Sequence, residues 1–224
     1  MKKIISICLM MFSIHAFAQD CNSYYYLQNN KIVEMTIYNK KGDAGGKIIY
    51  TVNNVSGNAS ALTATVNTEM LDKKGKSIAK GANNIKCDNG VMMMDIKMFL
   101  PQQQAEMLKE TEATASNVYL DYPATMSVGD KLKDANFNMD MNTNGMKQSM
   151  NMNITDRNVA AKESVTTTAG TWECYKITYK SNTAIKTMGI GIPFNSDITE
   201  WFAPGFGTVK TESKYGSTVI TSIK

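Results

Sequence analysis

Methionine carries the first chemical signal in this sequence. Met92-Met93-Met94 with Met98, and the group Met139, Met141, Met146, Met150 and Met152, contain the M-x-M and M-x-x-x-M spacings with which soft thioethers hold Cu(I) in exported proteins. Histidine is the usual companion ligand at such sites, and the one histidine of the 224 residues is His15, in a segment expected to be removed. Met139, Met141, Met150 and Met152 also fall where strand alternation puts core side chains. The flexible thioether as an adaptable packing group is therefore the preferred reading, with no metal and no cofactor expected.

Catalytic templates fare no better. Ser-His-Asp and Cys-His arrangements lack their base, and the zinc motifs that use histidine lack their ligands. Cys174 has no evident activator. Ser77-Ile78-Ala79-Lys80 matches S-x-x-K but sits in a strand-like stretch without the Lys-Thr-Gly partner element. Gly75-Lys76-Ser77 imitates the end of a phosphate-binding loop, yet Met70 stands where the first glycine is needed. Asp121, Asp130, Asp140 and Glu200 could in principle supply a carboxylate pair for glycoside hydrolysis. Among twenty acidic residues such pairs arise by chance, and a solvated face is the simpler account. The chain is expected not to be an enzyme.

The N-terminus explains the missing histidine. Met1-Lys2-Lys3 is a short cationic start, Ile4 to Phe17 is largely apolar, and Ala16-Phe17-Ala18 ends it in a small-x-small pattern, so residues 1–18 read as a secretory signal peptide. Cleavage after Ala18 removes Lys2, Lys3 and His15 and lowers the net charge of +4 by two; Arg157 is the only arginine left. Lysines interspersed with acids give no basic stripe, so no nucleic-acid partner is expected. The signal's apolar run is too short to span a bilayer and nothing comparable follows, so no transmembrane segment is expected in the mature chain. Periplasmic or secreted localisation follows, with residues 19–224 forming a single β-rich domain. Of the three remaining cysteines any two could pair in an oxidising compartment. Cys21–Cys87 is the preferred bridge, because Cys21 lies near the new N-terminus and Cys87 precedes an Asp88-Asn89-Gly90 turn, whereas Cys174 sits inside a strand pattern. Ala18-Gln19-Asp20 ahead of Cys21 lacks the small residues a lipobox requires, which favours soluble export over lipid anchoring.

The elements that would position these residues are strands. Val33, Met35 and Ile37, then Ile48, Tyr50 and Val52, then Leu62, Ala64 and Val66 each show period-two alternation. Turn chemistry separates them at Lys40 to Asp43, Asn53 to Gly57, Lys73 to Gly75, Asp88 to Gly90 and Thr143 to Gly145. Ala135, Phe137, Met139 and Met141 alternate toward Asn144-Gly145, after which Met146, Met150, Met152 and Ile154 continue the apolar face. A second hairpin is expected from Val159–Val165 into Trp172–Tyr179, turning at Thr168-Ala169-Gly170. Ile198 to Phe202 and Thr208 to Ile223 close the chain as strands. Pro101 to Ala113 instead shows helix formers over about three turns. The fold class expected is all-β: a curled antiparallel sheet or partly open barrel with one short helix.

In the C-terminal third, Thr167 to Ile177 (TTAGTWECYKI) followed by Glu200 to Lys210 (EWFAPGFGTVK) resembles the TapB-like family of exported bacterial proteins. That family carries a T-P-A-G-T-[FW]-x-C-Y-x-I hairpin ahead of a W-[FYI]-A-x-G-[VF]-G-x-V-K turn. Ser127-Val128-Gly129-Asp130-Lys131-Leu132 looks like its mid-chain element, and Cys21 and Cys87 sit where its cysteines would; Thr168 stands where the family usually has proline. The resemblance implies an exported, mainly β domain of unknown function with no catalytic residues to carry over.

Two functions are expected from different classes. The first is a non-catalytic envelope protein that binds a lipid-like or apolar small molecule in a sheet concavity, with Phe137, Met139, Met141, Met150 and Met152 as candidate ligand-facing residues. The second is a structural or adhesive surface protein that meets an envelope protein partner through a sheet edge or aromatic patch.

Overall fold

The computed structural model describes residues 21–100, 112–115, 118–143, 146–187 and 190–224. Among them thirteen strands form one antiparallel sheet: β1 (Ile32–Asn39), β2 (Ala44–Asn58), β3 (Ala61–Asp72), β4 (Ser77–Asp88), β5 (Val91–Asp95), β6 (Glu112–Ala115), β7 (Tyr119–Tyr122), β8 (Ala135–Thr143), β9 (Met146–Thr167), β10 (Gly170–Thr187), β11 (Ile190–Ala203), β12 (Gly207–Ser213) and β13 (Gly216–Ile223). The sheet order β6-β8-β9-β10-β11-β12-β13-β1-β2-β3-β4-β5-β7 curls it into a nearly closed barrel with one unsealed seam, between β6 and β8 on one side and β7 on the other. The short β6 pairs only with β8 and extends that edge, so twelve strands make the wall. Closure of this kind leaves few bare backbone groups, which an open sheet of this width would expose.

The alternation read from the sequence is the inward face. Val33, Met35, Tyr50, Val52, Leu62, Ala64, Val66, Phe137, Met139, Met150, Met152 and Ile154 are all buried. Lys40 to Asp43, Lys73 to Gly75 and Asp88 to Gly90 are turns, and Gly42, Gly75 and Gly90 adopt the positive φ those turns need. The expected break at Asn53 to Gly57 is a bulge instead. Asn54 and Gly57 do take positive φ, but β2 continues to Asn58 with its register shifted between Asn53 and Ser56. The chain reverses one step later, where the Asn58 side chain accepts hydrogen bonds from the Ser60 and Ala61 amides and builds the turn without glycine.

Residues 101–111 of the expected helix, and the Asn144-Gly145 turn, lie outside the described residues; Glu112 and Ala113, placed at the end of that helix, are strand residues paired with β8. The helical elements that are described are 3₁₀ turns of three or four residues. Two of them, Cys21–Ser23 and Tyr25–Leu27, stopper one end of the barrel, hereafter the floor. Cys21 is bonded to Cys87, with the Cα atoms 5.7 Å apart, and Tyr24 donates its hydroxyl to the Gly90 carbonyl at 2.9 Å. Gly207 is fixed by this stopper: its φ is +135°, and a Cβ there would meet the Tyr26 ring at 3.0 Å.

Candidate functional site

Above the stopper the barrel interior is not full. A cavity of about 810 Å³ lies among the strands from β9 to β3, within the range of roughly 300–1,000 Å³ that holds small-molecule ligands. Its floor is made by Tyr26, Met94 and Thr208. One wall is apolar, with Met35, Ile37, Ile48, Tyr50 and Met70 from β1, β2 and β3; the facing wall carries the small hydroxyls Ser181, Thr183, Ser196 and Thr211 from β10, β11 and β12. Ser and Thr fill less volume than the Met, Ile and Tyr of β1 to β3, and Tyr179 and Ile198 line the cavity from the same side as them. At the other end Tyr38, Asn39, Phe194 and Tyr215 line the mouth, near the β1–β2, β10–β11 and β12–β13 connections.

The residues expected to face a ligand lie mostly beside this space. Phe137, Met139, Met150 and Met152 are at most 3% exposed, and Phe137 pairs with Met152 and Met139 with Met150 across β8 and β9. None of the four is among the described lining residues, whereas Ile154, next on the same face of β9, is. Met141 is paired with Gln148, and its side chain lies outside the described residues. The outer face of the same hairpin is held by asparagine: Asn153 donates to Asn151, Asn151 to Asn138, Asn138 to Asn136 and Asn136 back to Asn153.

Joined to the floor through Thr208 is a buried polar cluster that no local sequence pattern connects. Glu200 on β11 is in phase with Ile198 and Phe202, so the strand turns its carboxylate inward, where it is 0% exposed. Tyr122 on β7 donates its hydroxyl to both carboxylate oxygens at 2.9 and 3.0 Å, Thr208 donates to Oε1, and the Tyr122 ring stacks on Phe202 with centroids 4.3 Å apart. Arg157, 1% exposed, lies over the other face of this arrangement, its guanidinium 4.9 Å from the Tyr122 ring centre. Its Nη1 donates to the carbonyls of Asp121 at 3.2 Å and Lys133 at 2.9 Å, tying β9 to β7 and to the segment beyond it. That segment returns to β9 through Leu132 N to Arg157 O and Gly129 N to Val159 O. The sole arginine therefore bridges the seam.

Burial pushes the Glu200 carboxyl above its ordinary value of 4.5, against the hydrogen bonds of Thr208 and Tyr122 and the charge of Arg157. A folded-state pKa raised above the unfolded one favours folding fully below pH 4.5, and that contribution is lost as pH rises through the folded value. Glu200→Gln is accordingly expected to flatten the fall in stability on raising the pH above 4.5, read as urea midpoints from pH 4 to 8; parallel curves for the two proteins would contradict it.

The other candidate acids do not join Glu200. Asp121 is at ion-pair distance from Lys133, and Asp130 accepts from the Ser127 amide. Lys80 of the S-x-x-K match is paired with Glu69 on β3. Cys174 is a buried free thiol pushed up to about 12 by burial, the opposite of what a nucleophile needs. Among the described residues no group of three or more His, Cys, Asp or Glu side chains could hold a metal, and no helix is long and apolar enough to cross a membrane.

A family model described as DUF3108-like matches residues 28–223. Among solved structures the chain is similar to a candidate exported protein with a YmcC-like fold from Bacteroides fragilis NCTC 9343, at 22% identity and a TM-score of 0.71, over 88% of this chain and 96% of that one. It is also similar to a candidate lipoprotein from Parabacteroides distasonis ATCC 8503, at 21% identity and a TM-score of 0.73, over 89% of this chain and 98% of that one. At these identities the likeness concerns the fold. A comparison with curated proteins finds no match.

Proposed function

The chain belongs to the DUF3108-like family, and from that premise and the shape of the barrel interior we propose that it is an exported, non-catalytic envelope protein that holds a lipid-like or otherwise apolar ligand. The cavity carries this reading: about 810 Å³ with an apolar wall is space that a barrel filled for stability alone would close with side chains. Export is supported by the signal-like residues 1–18, by a disulfide suited to an oxidising compartment, and by the descriptions of the two similar structures as exported protein and lipoprotein. The TapB-like motifs of the C-terminal third support the same placement. Cys21 is occupied by Cys87, so anchoring through an acylated Cys21 is no part of the proposal.

Solvent extraction of protein purified from its native host, followed by mass spectrometry, is expected to recover a molecule with an acyl chain. Ile198→Trp and Ser181→Trp, which place a large ring in the lining of the cavity, are expected to lower the affinity of a fluorescent fatty-acid probe at least tenfold while the thermal melt stays cooperative. An empty extract together with unchanged probe affinity in both variants would overturn the reading. A second reading, docking to an envelope protein partner, draws on Ile190, Phe194 and Tyr215, which are 73%, 36% and 56% exposed.

A further inference from the structure

We propose that the ligand is an anionic amphiphile, with its chain inside the barrel and its carboxylate or phosphate headgroup held by a crown of lysines around the mouth. The inference rests on the ligand-binding reading above and adds the chemistry of the headgroup.

Three hairpins, β12–β13, β1–β2 and β3–β4, are neighbours in the sheet and reverse direction at the same end of the barrel, opposite the stopper. Their tips carry Lys214, then Lys40 and Lys41, then Lys73, Lys74 and Lys76, all exposed. Two of these tips are the same device built twice. In Asn39-Lys40-Lys41-Gly42-Asp43 the Asn39 side chain accepts from the amides of Lys41 and Asp43, and in Asp72-Lys73-Lys74-Gly75-Lys76 the Asp72 side chain accepts from those of Lys74 and Lys76. Gly42 and Gly75 take matching φ values of +84° and +80°. Each tip is thus a fixed Asx turn that displays two adjacent lysines from an ordered backbone.

Lys214 lies over the Tyr215 ring, 5.1 Å from its centre. Lys47 and Lys80, further down the strands, are paired with Glu34 and Glu69, whereas none of the six tip lysines has a carboxylate at ion-pair distance among the described residues. The acids at the same tips are committed: Asp72 to its own turn amides, Asp43 to the Asn39 amide group at 3.1 Å, and Glu212 to Lys210. The mouth is reached directly from two of these tips, since Tyr38 and Asn39 precede Lys40 in the lining, and Ser213 and Tyr215 flank Lys214; the third tip is next to the β1–β2 tip in the sheet. An apolar shaft that opens beside tips where six lysines outnumber Asp43 and Asp72 is complementary to a molecule with an apolar tail and a negative head.

The test compares dodecanoate and dodecyl phosphate with methyl dodecanoate, which has the same chain and no charge, on the mature chain at low and high salt. Both anions are expected to bind about tenfold tighter than the ester at low salt, with the difference shrinking at 1 M salt, where the screening length is about 3 Å. Replacing Lys40, Lys41, Lys73, Lys74 and Lys214 by glutamine is expected to remove that preference and leave ester affinity unchanged; these are exposed turn positions, so folding is preserved and is checked by the melt. Equal affinity for the anions and the ester would overturn the headgroup inference while leaving the cavity reading standing. Absence of binding by all three probes would overturn both.

Discussion

Cys21→Ser combined with Cys87→Ser is expected to destabilise the protein by about 4 kcal/mol, the loop-closure entropy that a cross-link over 66 residues removes from the unfolded chain. In a domain of this size that corresponds to a loss of roughly 10 °C in Tm. The effect should exceed the cross-link alone in one respect. The stopper is held by few backbone bonds, Cys21 N to Ala59 O at 3.0 Å and Tyr25 N to Gly205 O at 3.1 Å, so releasing Cys21 frees the segment that places Tyr26 in the cavity floor. Binding of an apolar probe should therefore weaken in the double variant even at temperatures where the barrel stays folded. Calorimetry and probe titration of the oxidised, reduced and double-serine proteins check both parts. A reduced protein that melts within 2 °C of the oxidised one would be incompatible with the stopper having this role.

Arg157→Met is expected to cost about 3–5 kcal/mol, the range seen when one partner of a buried charge arrangement is removed. Three losses coincide at this side chain. The carbonyls of Asp121 and Lys133 lose their shared donor, Tyr122 loses the cation over its ring, and Glu200 loses the positive charge that offsets its burial. Arg157→Lys is expected to recover only part of the loss, because a shorter side chain with a compact ammonium replaces the flat guanidinium that lies 4.9 Å from the Tyr122 ring centre. Adding Glu200→Gln to Arg157→Met should restore part of the stability, since the carboxylate left without its counter-charge is then gone. Urea unfolding of the single and double variants gives the coupling as a mutant cycle. Strict additivity would show that Arg157 acts on the seam alone and not through Glu200.

The strands and most turns were legible because alternation and turn residues report local geometry. Val33, Met35 and Ile37 read as one face, and Asp88-Asn89-Gly90 as a reversal, without any tertiary information. The bulge in β2 was not, since Asn54 and Gly57 announce positive φ and a bulge uses it as readily as a turn does. Asn58, whose side chain builds the actual reversal, was the available signal. The cavity was less legible than the core. Alternation marks Phe137, Met139, Met150 and Met152 as inward, and inward they are, but it does not say where the interior is left empty. That depends on Ser181, Thr183, Ser196 and Thr211, small polar residues that line the cavity and that apolar alternation does not mark as inward. Glu200 offered a clue of the same kind: a carboxylate in phase with Ile198 and Phe202 is a charge turned into the core, and its partners Tyr122 and Arg157 come from chain positions that no local pattern connects.

The pairing of β1 with β13 sets the order in which this molecule can come into being. Ile32 and Lys224 exchange both backbone hydrogen bonds at 2.9 Å, and seven residue pairs join the two strands. The hairpins β2–β3 and β3–β4 can form as soon as their residues are synthesised, yet β1 keeps one bare hydrogen-bonding edge until residues 216–223 exist. A ring whose first and last strands are neighbours has high contact order, and such topologies fold in milliseconds to seconds rather than microseconds. The nascent chain therefore carries an open β1 edge until residues 216–223 are delivered, and the speed of delivery, more than the strength of any one contact, decides how long that edge is available for wrong pairing.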